Sequence, residues 1–85
     1  MKSLDQIEIE MIELLTNIAD AETGVFKSNE SIWESGLDSL MALELVVRTN
    51  RIFQVKLTKE ILEKNNTPHK LAVYINSKMG NNDAN

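Results

Sequence analysis

Apolar residues in the first segment fall at Leu4, Ile7, Met11, Leu14 and Ile18, a spacing of 3, 4, 3 and 4. That spacing is the stripe of an amphipathic helix, and Ile12, Leu15 and Ala19 widen it. It predicts a helix from Ser3 to about Ala19. Ser3-Leu4-Asp5-Gln6 has the form of a capping box, in which Ser3 accepts from the backbone and Gln6 reaches back. Asp5, Glu8, Glu10 and Glu13 fall mostly on the outer face, and the earliest of them suit the positive helix start. They read as a solvated face, so changing Glu8, Glu10 or Glu13 is expected to be mostly neutral.

From Asp20 to Leu37 no period is sustained, and Gly24, Gly36 and several Ser, Asn and Thr residues intervene. Loops longer than about 12–15 residues are uncommon in compact domains and often functional. Val25, Phe26, Ile32, Trp33 and Leu37 are expected to pin this one to the core, with Trp33 a packing anchor rather than a ligand stacker. Helical spacing returns at Leu40, Leu43 and Val47, with Ala42 and Val46 beside the stripe. It predicts a second helix from about Ser39 to Asn50 or Arg51, capped by Asp38 or Ser39, with Leu43 facing inward. Asp38 and Glu44 near its start and Arg48 and Arg51 near its end match the helix dipole.

Ile52, Phe53, Val55 and Leu57 read as a short extended connection. A short third helix is expected over Thr58–Lys64, with Thr58 as cap, Ile61 and Leu62 inward and Asn65-Asn66 as its stop. Thr67 as cap and Pro68 at the first helical position open the last helix. Leu71, Ala72, Ile75 and Met79 supply its apolar face, joined by Tyr74 or Val73, and Gly80 is expected to end it. The pattern predicts an all-α fold: a small four-helix bundle of three main helices and one short one, with a long loop between the first two. One domain over residues 1–80 and a disordered tail over 81–85 complete the reading.

Composition narrows the chemistry. An 85-residue chain buries only about 60% of the surface its unfolded form exposes, which leaves one small core and no large enclosed active site. The absence of cysteine excludes disulfides, zinc–cysteine sites and thiol chemistry by the protein's own side chains, and the lone His69 builds no histidine cluster. No metal site is expected. No apolar run is long enough for a transmembrane helix, so no membrane insertion is expected. The N-terminus lacks a signal-peptide apolar block, so a cytoplasmic location is expected. Ten acids and two lysines occupy residues 1–47, a balance of −8, while three acids and seven bases occupy residues 48–85, a balance of +4. The surface is therefore polarised. With a net charge of −4 and a pI near 4.9, nucleic acid is not an expected partner.

The informative stretch is Gly36-Leu37-Asp38-Ser39-Leu40-Met41-Ala42-Leu43-Glu44-Leu45. It sets a serine hydroxyl at the start of an amphipathic helix, just after a glycine-containing loop. Unpaired N–H groups and partial positive charge make a helix start a favourable place for a phosphate. An enzymatic serine nucleophile would need a base and an orienting group. His69 opens a different helix and Gly-x-Ser-x-Gly is absent, so a hydrolase is not supported. On the bare dipeptide, helix capping alone accounts for Asp38 and Ser39.

Gly36-Leu37-Asp38-Ser39-Leu40, followed by Ala42-Leu43-Glu44-Leu45, resembles the attachment motif of the phosphopantetheine-binding carrier proteins, which include acyl carrier and peptidyl carrier proteins. The resemblance spans nearly the whole chain, from the acidic first helix through the long loop to the helix opened by Thr67-Pro68. It implies an acyl-carrier-protein-like bundle and a non-catalytic shuttle. Ser39, beside the motif residue Asp38, would be esterified by 4′-phosphopantetheine from coenzyme A, through a separate magnesium-dependent phosphopantetheinyl transferase. The group's terminal thiol would carry intermediates as thioesters, supplying a sulfur that this cysteine-free chain lacks. Tethering raises the effective concentration of cargo at successive enzymes.

The resemblance also makes the second helix the partner-recognition surface, with contributions from Asp38, Leu40, Met41 and Glu44. Glu44 would dock basic patches, whereas Met41 reads equally well as a core filler. The implied partners are the transferase and an acyltransferase, a ketosynthase or adenylating loading enzymes, acting on a monomer. Fatty-acid-type carriers have an acid-rich second helix. Here Val46-Val47, Arg48 and Arg51 depart from that pattern, and Asp-Ser-Leu-Met-Ala-Leu-Glu-Leu is closer to carriers of polyketide and related specialised pathways. The expected function is a discrete acyl carrier of a polyketide-like or hybrid natural-product pathway, with Met1 and the short tail suggesting a free-standing protein. Two alternatives stand beside it. One is an aminoacyl carrier, peptidyl or D-alanyl, which Asn66-Thr67-Pro68 slightly favours. The other is an unmodified helical interaction module in which Ser39 is only a cap.

Overall fold

Four helices follow one another along the chain: α1 (Leu4–Ile18), α2 (Ser39–Phe53), the short α3 (Lys59–Lys64) and α4 (Pro68–Asp83). They belong to a computed structural model that describes residues 2–83, with side chains through Met79. α1 packs against both α4 and α2, and α3 leans on α2. The predicted four-helix architecture, with a long loop between α1 and α2, is the one observed.

Side-chain capping sets all four helix starts, that of α2 through Asp38. Ser3 Oγ accepts from Gln6 N, the serine half of the expected capping box, and Thr58 Oγ1 accepts from Ile61 N. At α4, Thr67 Oγ1 accepts from Lys70 N while Pro68 occupies the first helical position, where a missing N–H costs nothing. Ile7, Met11 and Leu15 from α1, Leu62 from α3, and Leu71, Ala72 and Ile75 from α4 are fully buried in one core. Leu4, Leu14 and Ile18 flank that core half-buried, so the stripe of α1 centres one position away from the simplest reading of its spacing.

α2 departs from expectation. Its buried residues are Ala42, Leu45, Thr49 and Phe53. Leu40, Leu43 and Val47, expected to define the inner stripe, are exposed, and Val46 is half-buried. Both faces carry apolar residues, so periodicity alone does not choose between them. The helix also continues past Arg51 to Phe53 and ends at Gln54 in the left-handed region, with φ 56°. Ile52 and Phe53 are thus the last turn of α2, not the start of an extended connection, and Ile52 points to solvent. Asn50, near the expected end of the helix, lies inside it and its side chain reaches forward. Its amide donates to Leu57 O at 2.9 Å and accepts from Leu57 N at 2.7 Å, fixing the turn that buries Val55 and Leu57.

α4 runs through Gly80 to Asp83 rather than ending at the glycine, and residues 84 and 85 of the expected tail lie outside the described residues. An interior glycine costs a helix only about 0.5–1 kcal/mol, which does not by itself stop it.

The loop from Ala19 to Asp38 is stitched to the start of α4 by backbone bonds. His69 N donates to Ser28 O and Ile32 N to Asn66 O, both at 2.9 Å. Phe26, Ile32 and Leu37 bury into the core and Trp33 packs half-buried against it, as expected, whereas Val25 is exposed. A side-chain cluster strengthens the attachment. Glu8 on α1 accepts from Ser28 Oγ at 2.5 Å, and its other oxygen lies 2.7 Å from His69 Nδ1. Glu8 is therefore a tie between α1, the loop and α4, not the solvated acid that the pattern suggested. Glu10 is also engaged, 2.7 Å from Lys2 Nζ, which stands over the Phe53 ring.

Hydrogen bonds from Ser28 and then from His69 hold the Glu8 carboxyl below its usual range, against the opposing effect of partial burial. A depressed folded-state value stabilises the fold above the ordinary glutamate range, and the contribution is lost as pH falls through the lowered value. Glu8→Gln should therefore be clearly less stable than the parent at about pH 7, and that gap should narrow on going to about pH 3. Urea midpoints at the two pH values measure it, and a gap independent of pH would contradict the assignment.

Candidate functional site

The long loop delivers the chain to α2 through a tight reversal. Ser35 N donates to Ser31 O, Gly36 N to Trp33 O and Leu37 N to Ile32 O, closing a compact turn over residues 31–37. Gly36 leaves that turn with φ +119°, a conformation that side chains rarely adopt, and no heavy atom lies within 4 Å of where its Cβ would sit. Backbone geometry, not crowding, requires the glycine. Leu37 then anchors in the core and Asp38 extends to cap α2.

Asp38 Oδ1 accepts from Met41 N at 2.8 Å, and Asp38 O accepts from Ala42 N. A cap of this kind is worth about 0.5–2 kcal/mol. Asp38, rather than Ser39, is thus the capping residue. Ser39 is the first helical residue, exposed, and the N–H groups of Ser39 and Leu40 have no partner within the helix. The chain has six serines. Five of them use their hydroxyls: Ser3 and Ser31 accept from backbone N–H groups, Ser28 donates to Glu8, and Ser35 and Ser77 donate to backbone carbonyls. Among the described residues, Ser39 is the serine whose hydroxyl has no protein partner. It is exposed and stands in the positive field of a helix start. That setting suits a phosphoester on the serine oxygen.

The remaining expected site residues surround it unevenly. Leu40 projects outward at 76% exposure. Met41 is half-buried and packs against the core. Glu44 is exposed but lies 2.6 Å from Arg48, one turn further along α2. His69 does not serve Ser39, since it is held by Glu8 on the α1–α4 side. Serine, carboxylate and imidazole do meet at Ser28, Glu8 and His69, but both hydrogen bonds end on the carboxylate, so the imidazole is not placed on the hydroxyl as a triad base would be. Among the described residues no three His, Cys, Asp or Glu side chains stand together to hold a metal, and no helix is long and apolar enough to cross a membrane.

Sequence reasoning missed the Glu8–Ser28–His69 tie and the Asn50–Leu57 clasp. The first joins residues 61 positions apart, and nothing local signals it. The second joins residues seven positions apart across a stretch that the pattern read as a short extended connection.

Residues 9–75 match the family described as "Phosphopantetheine attachment site". The chain is similar to the anthracycline acyl carrier proteins DauA of Streptomyces sp. (strain C5) and DpsG of Streptomyces peucetius. Each is 36% identical over 63 residues, covering 74% of this chain and 68% of the relative. Its fold is similar to that of a free-standing peptidyl carrier protein from an uncharacterized secondary metabolic pathway of Acinetobacter baumannii. There the TM-score is 0.85 at 20% identity, over 93% of this chain and 99% of the other. With the family match running from α1 into α4 and the helices in carrier order, the chain belongs to the phosphopantetheine-binding carrier proteins, and its prosthetic group is a covalently attached 4′-phosphopantetheine.

Proposed function

We propose that this protein is the acyl carrier of a polyketide-type or hybrid pathway, with its prosthetic group on Ser39. The observation that carries the attachment is the unpartnered, exposed hydroxyl of Ser39 at the start of α2, in a chain whose other serine hydroxyls are engaged. Asp38 supports it by taking over the cap, so the serine oxygen is not needed to hold the helix. The loop's ties to Asn66 and His69 hold Gly36 and Leu37, and so fix where α2 begins. Once attached, the group supplies a terminal thiol able to hold an acyl cargo as a thioester. The chain's own residues do no bond-making. They present one hydroxyl, keep its surroundings open and offer a surface to the enzymes that act on it. Carrier proteins generally meet a phosphopantetheinyl transferase and then pathway enzymes in this way, and Leu40, beside Ser39, is the most exposed large apolar residue of that surface.

The acyl reading rests on similarity to the anthracycline acyl carriers. An aminoacyl or peptidyl carrier is the competing reading. Loading separates the two: the modified protein is offered malonyl-coenzyme A with an acyltransferase, or amino acids and ATP with an adenylating enzyme. Acyl loading seen by intact mass is the expected result. Loading by the adenylating enzyme alone would overturn the acyl assignment.

A further inference from the structure

Glu8 grips both sides of one loop–helix bond. Ser28 O accepts from His69 N at 2.9 Å, and the side chains of the same two residues converge on the Glu8 carboxyl. Ser28 Oγ donates to Oε2 at 2.5 Å, and His69 Nδ1 lies 2.7 Å from Oε1. A carboxylate only accepts, so the imidazole is the donor of the second bond. Among the described residues, Glu8 is the one side chain of α1 hydrogen-bonded to the loop or to α4.

Four residues further along the loop, Ile32 is bonded in two directions. Its N–H donates to Asn66 O, just before α4, and its C=O accepts from Leu37 N. The first bond holds Ile32 to the start of α4, and the second closes the turn over residues 31–37. From Leu37 the chain runs straight into the Asp38 cap and Ser39. Hydrogen bonds and short stretches of chain therefore connect Glu8 to the start of α2 without a break.

Burial alone does not set this arrangement. Phe26, Ile32 and Leu37 hold the loop against the core, but apolar contact has no preferred direction. It sets how deep the loop sits, not its register along α4. Hydrogen bonds are directional and set that register.

We propose that Glu8 is a positioning residue for the modification of Ser39, which lies 31 positions away in the sequence. By clamping the loop to the start of α4 it steadies Ile32, and through Ile32 the turn that presents the serine hydroxyl. This role rests on attachment at Ser39. Glu8 touches no substrate. It keeps the chain in the arrangement that the modifying enzyme engages. An enzyme that binds only that arrangement has its apparent affinity reduced by the fraction of molecules that hold it. Loss of the clamp therefore raises KM and spares kcat.

Transfer from coenzyme A by a broad-specificity phosphopantetheinyl transferase, followed by intact mass at about pH 7, tests this on the parent and three variants. Glu8→Ala removes the clamp, and Ser28→Ala removes one arm of it from the loop side. Ile75→Val trims a fully buried residue of α4 and lowers stability without touching the clamp. Glu8→Ala should raise KM about threefold or more with kcat within about twofold of the parent. Ser28→Ala should shift KM the same way, and Ile75→Val should keep the parental KM. Amide hydrogen exchange should quicken at Ile32, Leu37 and His69 in Glu8→Ala, ahead of the amide of the buried Leu45. Parental kinetics in both Glu8→Ala and Ser28→Ala would overturn the positioning role and leave attachment intact. So would an equal rise of KM in Ile75→Val, or exchange that quickens evenly along the chain, since either makes the clamp a matter of global stability alone. A parent that gains no mass while a control carrier is converted would overturn the attachment at Ser39 and this role with it.

Discussion

Leu45→Ala is expected to destabilise the protein by about 2–5 kcal/mol, whereas Leu43→Ala, two residues earlier on the same helix, should change stability by less than about 0.5 kcal/mol. Leu45 is fully buried in the core, while Leu43 is more than half exposed. Truncating Leu45 removes transfer free energy and leaves a cavity that its neighbours fill only partly. At the low end of the usual range of about 5–15 kcal/mol, where so small a domain belongs, such a loss removes most of the stability. Loss of cooperative unfolding is therefore the expected outcome for Leu45→Ala, set against a Leu43→Ala curve that overlays the parent. Urea titrations followed by circular dichroism measure both. Equal losses at the two positions would mean that α2 presents a different face to the core.

The contrast between these two leucines also shows how far the sequence can be read. α1 was legible because one face is apolar and the other is dense with acids, so the stripe had a single solution apart from its exact centre. α2 was legible as a helix but not in its orientation. Leu40, Leu43 and Val47 repeat as regularly as Ala42, Leu45, Thr49 and Phe53, and they are the more apolar set. Burial goes to the other set because Leu45 and Phe53 pack into the core, and Thr49 lies against Met11 of α1, its hydroxyl 4.0 Å from the Met11 sulfur. Local rules fail where a surface serves something other than the fold.

The start of the site was legible for the opposite reason. Gly36, Asp38 and Ser39 act through backbone angle, capping and position, which are local properties, and each lies where its residue type suggests. Distant pairings were not legible. Glu8 reads as one more surface acid until the fold brings Ser28 and His69 to it. Nor does composition show that Gln54 ends α2 in a left-handed conformation, a place where glycine or asparagine would be the usual sign.

Ser39→Ala is expected to abolish covalent modification while leaving the fold in place. The helix keeps its Asp38 cap, alanine is well tolerated in a helix, and no described hydrogen bond of the Ser39 hydroxyl is lost. The substitution therefore removes one reactive oxygen and little else, so a loss of modification cannot be attributed to unfolding. Asp38→Ala makes a useful contrast: it keeps the hydroxyl but removes the cap, at a cost of about 0.5–2 kcal/mol. It should lower the melting temperature and still accept the group.

The intact mass of the parent and of Ser39→Ala, after incubation with coenzyme A, magnesium and a broad-specificity phosphopantetheinyl transferase, addresses attachment most directly. The parent should gain the mass of one phosphopantetheine and Ser39→Ala none. A gain that survives in Ser39→Ala, or a parent that stays unmodified while a control carrier is converted, would contradict the assignment of Ser39.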